Sequence, residues 1–195
     1  LDNSIVFGFE REDDEMGYNE NATGTKYEHS YVESKYFDFQ TRISKNIYGT
    51  FGSRFDEHSV AGNEDAHRVT LAYLFDDKST KLKTSYGTGF RFPSLYNMYY
   101  VYAANAQSLP YVKAEKSRSY DLGIEKKFNK LNLDIEANYF NLKYKDPLEG
   151  WATGTSSGNA YTTQNQPATV KSQGLELMSR WSFNNSLNFN FNYTY

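Results

Sequence analysis

The sequence predicts an all-β protein, an antiparallel up-and-down transmembrane β-barrel, on three observations. Apolar and polar residues alternate along much of the chain. The connections between alternating segments are short and long by turns, and aromatic residues gather at segment ends. A period of two puts alternate side chains on opposite faces of a strand.

Taken in order, the pattern runs over 5–9, 37–43, 47–55, 69–75, 82–90, 120–128, 131–139, 175–183 and 187–195, nine strands with no amphipathic helix between them. The last is the clearest. Leu187, Phe189, Phe191, Tyr193 and Tyr195 alternate with Asn188, Asn190, Asn192 and Thr194. Leu131, Leu133, Ile135, Ala137 and Tyr139 alternate in the same way with Asn132, Asp134, Glu136 and Asn138. Short turns fall at 44–46, 76–79, 129–130 and 184–185, rich in the Asn, Asp and Ser that tight hairpins favour. Long polar connections are expected at 11–30, 58–66, 91–117 and 144–169. In a meander this order sorts every short turn to one end and every long loop to the other. A membrane barrel sorts its connections so, with short turns on the periplasmic side and long loops outside.

A soluble β-sandwich also alternates, and period alone does not separate the two. Strand length favours the membrane: several segments approach the ~9–11 residues of a tilted spanning strand, against ~5–6 in globular proteins. Pairs such as Phe90 and Phe92, Tyr139 and Phe140, and Trp181 and Phe183 suit the aromatic girdles of a barrel. The chain of 195 residues has no cysteine, which excludes disulfides and thiolate metal sites. Its 21 basic and 24 acidic residues give no pull towards nucleic acid. The mean hydropathy of −0.77 excludes membrane helices. It does not exclude a barrel, in which half of each strand faces water.

Four segments resemble TonB-dependent outer-membrane transporters. The run from Ser85 to Tyr99 contains Phe90-Arg91-Phe92-Pro93-Ser94-Leu95-Tyr96, similar to the family's Phe-Arg/Lys-x-Pro-x-Leu-aromatic pattern. The run Leu109-Pro110-Tyr111-Val112-Lys113-Ala114-Glu115-Lys116-Ser117 resembles its Asn-Pro-x-Leu-x-Pro-Glu-x-Ser box, without the Asn-Pro pair and with Ala114 in place of Pro. Gly174-Leu175-Glu176 resembles its Gly-Val/Leu-Glu strand, and Asn192 to Tyr195 a strand end. The resemblance implies a roughly 22-stranded barrel closed by an N-terminal plug. Residues 1–195 would then be a partial barrel domain, an internal piece without the plug. It implies the outer membrane of a Gram-negative bacterium, the TonB complex as partner through a region outside this chain, and lipid and lipopolysaccharide around the wall. It also implies active uptake of a metal chelate, vitamin B12 first and a ferric siderophore as the alternative. A haem cargo is disfavoured, because 91–117 contains no histidine.

The candidate binding surface is the loop 91–117, with Tyr96, Asn97, Tyr99, Tyr100, Tyr102 and Asn105. Aromatic faces beside amide donors suit a large, semi-polar, planar ligand. Trp151 and Tyr161 mark a second loop, where Gly154 and Gly158 suit a lid. Phe90, Arg91, Pro93, Ser94, Leu95, Glu115, Gly174 and Glu176 are expected to be structural. Asp121, Glu125, Asp134, Glu136, Glu176, Arg54 and Arg180 are expected to face a watery lumen or a plug.

No enzymatic motif is present, so no catalytic residue and no resident cofactor are expected. Cobalt or iron would belong to the cargo. The acidic run 10–15 lacks the spacing of a calcium loop and reads as a solvated or lipopolysaccharide-bridging outer loop. His58 and His67 flank Asn63-Glu64-Asp65 and read as solvated loop residues before metal ligands. A passive porin or adhesin barrel and a soluble β-sandwich module stand as readings of other classes.

Overall fold

The computed structural model describes residues 3–20, 24–99, 112–155 and 158–195, with the side chains of 20, 149–155 and 158–162 outside the description. The elements are β1 (Asn3–Glu20), β2 (Gly24–Arg42), β3 (Ile47–His58), β4 (Gly62–Leu74), β5 (Thr80–Arg91), α1 (Leu95–Tyr99), β6 (Glu115–Phe128), β7 (Leu133–Lys145), β8 (Leu148–Thr155), β9 (Gly158–Asn165), β10 (Thr169–Asn184) and β11 (Leu187–Thr194). Nine of the strands form one antiparallel sheet in chain order, and β8 and β9 pair only with each other. This is the meander that the alternation predicts.

Three of the four long connections differ from expectation. Segment 11–30 is a ladder, because β1 and β2 stay paired as far as Glu20 and Gly24. A hairpin that runs past the membrane has water on both faces and needs no apolar alternation, so its charges read as a loop. Segment 58–66 shrinks to a turn between His58 and Gly62. Segment 144–169 holds the β8–β9 hairpin. At the other end, Leu131 belongs to a 3-10 turn (Asn129–Leu131), and Asn132 turns the chain with a positive φ of 50° before β7 starts.

The register decides the faces. Leu82, Ile124 and Ala137 lie side by side across β5, β6 and β7, as do Tyr86 and Tyr120 across β5 and β6. Trp181 bridges Leu133 and Phe189 across β7, β10 and β11, stacking on Phe189 with ring centroids 5.7 Å apart. These residues form an apolar band along one face. The band is uncovered: Phe9 is 82% exposed and Phe191 57%. Among the described residues the buried hydrophobic side chains are Leu95, Met98, Val112 and Ala114, with Pro93 also fully buried. All of them lie at the long-loop end. A soluble sandwich would bury its band in a second layer, since apolar surface in water costs about 25 cal/mol per Å². This band is left for lipid.

Lys126 interrupts the band near the short turns. Its ammonium reaches Asp77 Oδ2 at 2.8 Å, Ser79 Oγ at 2.8 Å and Thr80 Oγ1 at 2.6 Å. The ion sits at the rim of the apolar zone instead of within it. Asp77 in that turn also accepts the backbone N–H groups of Ser79 and Thr80. The bond from Lys126 first, then those from Ser79, hold its carboxyl well below the usual carboxylate range.

Candidate functional site

The opposite face carries polar pairs that span two strands. Arg54 on β3 reaches Glu10 on β1 at 2.9 Å, crossing the small Ser34 on β2, whose Oγ it also bonds at 2.7 Å. The same guanidinium holds Asp56, which is 7% exposed, at 2.8 Å. Lys83 on β5 reaches Glu136 on β7 across Gly123, and bonds Glu125 at 3.0 Å. Ser85 Oγ donates to Asp121 at 2.7 Å. Four of the expected inward charges, Arg54, Asp121, Glu125 and Glu136, are therefore satisfied within the wall itself. Asp134 and Arg180 are cross-strand partners in register, and Glu176 lies on the same face opposite Asn138.

Small residues make room on this face. A Cβ on Gly8 would lie 2.0 Å from the ring of Tyr36, so the ring occupies the space above the glycine. Gly174 is likewise covered by Phe140, whose ring comes within 2.9 Å of the missing Cβ. The wall near Tyr36 bounds an open groove of about 630 Å³, with Glu10, Asp38, Arg54 and Arg68 among its lining residues.

At the long-loop end the two predicted binding loops are joined. Ser94 Oγ accepts the Asn97 N–H at 3.3 Å, and its N–H and Oγ both donate to Asn97 Oδ1. This exchange starts α1. Leu95, Met98 and Val112 form a small core against Met16, Ala61, Tyr99 and Leu148. The core therefore gathers β1, the β3–β4 turn, α1 and the start of β8. Glu115 bonds Arg91 and accepts the Leu148 N–H at 2.7 Å. Asn165 accepts the Lys113 N–H at 2.7 Å and donates to the carbonyls of Lys113 and Asp146.

Of the predicted binding residues, Tyr96 is 54% exposed on this platform. Tyr99 is partly buried in the core, and Asn97 spends its carbonyl on Ser94. Trp151 on β8 is the register partner of Thr162 and Tyr161 on β9 that of Ala152, so the two are not directly opposite each other. Tyr100, Tyr102 and Asn105 lie outside the described residues. Phe90 packs edge-on against Phe92, Pro93 and Leu95 are buried, and Arg91 meets Glu115.

The sequence pattern gave no sign of Asn165 or Met16, and the expectation that His58 is a solvated loop residue is overturned by its burial at the end of β3. An isolated amide or methionine carries no pattern, and its role appears only when the loops meet. His58 is 6% exposed, packs against Phe92 with ring centroids 4.9 Å apart, and accepts the N–H groups of Val60 and Ala61 at Nδ1. Burial pushes its pKa below the ordinary histidine value.

His58 and His67 sit on opposite faces and do not share a site. His67 bonds Ser53 Oγ at 2.6 Å and Asp65 at 2.7 Å on the outward face. The trio resembles a hydrolytic relay in composition only. Ser53 lies mid-strand on β3, where backbone N–H groups serve the ladder and no oxyanion hole is formed. The acidic run 10–15 lies on β1, so its carboxylates alternate between faces. Arg11 binds Asp13 there and lowers its pKa.

The sequence matches the family model described as TonB dependent receptor-like, beta-barrel, over residues 2–195. No curated protein matches it. The fold is similar to the ferric enterobactin receptor PfeA of Pseudomonas aeruginosa, with TM-score 0.82 and 19% identity over 99% of this chain and 33% of that one. It is similar to the siderophore receptor PirA of Acinetobacter baumannii, with TM-score 0.79 and 18% identity over 99% and 34%. The copper transporter OprC gives 0.76 and 13% over 100% and 35%. The chain thus spans about a third of the length of these structures. At such identities the likeness is one of fold. The soluble sandwich is set aside by the uncovered band, and the plugless porin by the family match. The chain belongs to the TonB-dependent receptor β-barrel family, whose members are outer-membrane transporters of Gram-negative bacteria and not enzymes.

Proposed function

We propose that the protein binds a metal chelate at its long-loop rim and passes it inward in a step driven by the TonB complex. The nine strands would be part of a larger closed barrel, and the contact with TonB would lie outside them. The observation that carries this reading is the built platform. Two loops from different hairpins are tied through Glu115 and Asn165, seated on a shared apolar base, and present Tyr96 to solvent. A pre-organised aromatic surface loses little entropy when a planar ligand settles on it. Cobalt or iron would arrive and leave with the cargo, and no resident cofactor is proposed.

The run from Ser85 to Tyr96 favours cobalamin. A ferric siderophore is the second reading, favoured by the fold shared with receptors named for such ligands. The test is binding of cyanocobalamin and of a ferric catecholate to the full-length protein in detergent. Affinity for one of them below micromolar supports the proposal, and absence of both overturns it. Tyr96→Ala is expected to weaken binding about tenfold, as loss of an exposed aromatic contact does. Tyr99→Ala is expected to loosen the loop core instead. Equal binding by wild type and Tyr96→Ala removes Tyr96 from the ligand surface.

A further inference from the structure

Towards the long-loop end the wall parts between β4 and β5. β4 starts at Gly62 and β5 runs on to Arg91, yet the register between them ends at Arg68 and Gly87. On one side of the parting β3 and β4 stay paired as far as His58 and Gly62. On the other β5 and β6 stay paired as far as Arg91 and Glu115. The rim of the wall is therefore two ladders, one ending in β4 and one beginning with β5. Gly87 and Gly89 flank the parting in β5, as glycine does where a strand bends.

The contacts that bridge the parting rely on side chains. The His67 N–H donates to Thr88 Oγ1 at 3.0 Å. Lys116 on β6 reaches Glu64 on β4 at 2.7 Å. Leu95 and Met98 of α1, with Val112, pack against Met16 on β1 and Ala61 in the β3–β4 turn. Phe92 rests on His58 with ring centroids 4.9 Å apart. His58 serves two of these contacts at once. Its ring carries Phe92, and its Nδ1 accepts the N–H groups of Val60 and Ala61 at 3.0 and 3.1 Å, which shapes the turn that brings Ala61 to the core. A proton on Nδ1 removes that acceptor and sets a donor against two donors. The ring must then leave the turn, and the contacts of Phe92 and Ala61 are disturbed together.

We infer that the parting is a latched seam: His58 holds the half that carries α1 against the β1–β4 half while its imidazole is neutral, and releases it when the ring takes up a second proton. The charged groups on the inward face around the ring are Glu12 and Asp14 on β1, Lys26 and Glu28 on β2, Arg54 and Asp56 on β3 and Glu64 on β4, with Arg91 and Glu115 across the seam. Arg54 bonds Asp56, Arg91 meets Glu115 and Glu64 meets Lys116. Burial pushes the His58 pKa down, and Asp14 pulls it part of the way back. The latch is therefore closed above the ordinary histidine value of about 6.5 and opens as pH falls through the lower folded value. It acts on the seam without a ligand and is independent of the chelate reading.

The test places spin labels at Asn63→Cys and Lys113→Cys, exposed positions on opposite sides of the seam, in the full-length protein in detergent on a background with no other cysteine. Distances between the labels are measured without ligand from about pH 7.5 to about 4.5. One short distance is expected at the upper end, giving way to a longer one on acidification. The ratio of long to short is expected to rise by up to about tenfold per pH unit, the limit for a single proton. His58→Asn keeps an acceptor for the Val60 and Ala61 N–H groups and does not titrate, and is expected to hold the short distance throughout. Glu64→Gln removes the other titratable tie and is expected to keep the response. The pair Lys35→Cys and Asn63→Cys, both in the β1–β4 half, is expected not to move. Folding is checked by heat-modifiable migration, and His58→Gln replaces His58→Asn should the latter fail to fold. A distance that does not change with pH overturns the latch. A response that survives in the folded His58 variant, or that Glu64→Gln abolishes, overturns the assignment to His58.

Discussion

Glu115 bonds Arg91 through one carboxylate oxygen and the backbone N–H of Leu148 through the other, at 2.7 Å for the latter. One side chain at the start of β6 thus ties the end of β5 to the start of β8. Glu115→Ala leaves the Leu148 N–H without its acceptor, a local cost of about 1–3 kcal/mol. Hydrogen exchange on the full-length protein is expected to show faster exchange at Leu148 and through α1. Arg91→Lys, which leaves the Leu148 bond in place, is expected to preserve protection at Leu148. Unchanged exchange in Glu115→Ala would show that the loops are held elsewhere.

The β3–β4 turn is expected to depend on pH through His58. Its Nδ1 must be unprotonated to accept the Val60 and Ala61 N–H groups. Burial lowers its folded pKa, the attraction of Asp14 opposing this in part. The stabilisation is therefore fully present above the ordinary value of about 6.5. It is lost as pH falls through the lower folded value. Exchange at Val60 and Ala61, corrected for intrinsic rates, is expected to rise on acidification in wild type. In His58→Ala it is expected to be fast at every pH.

Gly8 and Gly123 both sit under neighbouring side chains, yet their replacement is expected to differ. A Cβ at Gly8 meets the rigid Tyr36 ring at 2.0 Å, and the phenol must be displaced. A Cβ at Gly123 meets Asn138 Oδ1 and the stem of Lys83, which can swing aside. Gly8→Ala is expected to cost about 1–3 kcal/mol and Gly123→Ala less than half of that. Thermal unfolding followed by gel migration compares them. A larger loss in Gly123→Ala would mean that the Lys83–Glu136 crossing is the stiffer feature.

The period-two pattern was sufficient for the sheet. Every strand it marked is present because the lipid boundary imposes an apolar residue at every second position. The pattern ends where lipid ends. The β1–β2 extension and the first residues of β4 were read as loops, since strands with water on both faces carry no such constraint. Tyr96 is exposed, whereas Tyr99 and Asn97 turn inward to build the platform. Ser94 starts α1, Leu95 packs in the loop core, and Glu115 holds the Leu148 N–H.

Fold class and strand order were determined by the sequence itself, because alternation and turn chemistry act between near neighbours in the chain. The tertiary structure decided which distant residues meet. Glu115 and Leu148 are 33 positions apart, Lys113 and Asn165 52, and Lys83 and Glu136 53. Pairing register sets those distances, and a shift of one residue would send each side chain to the opposite face. The joined loop platform thus exists only once the strands are in register.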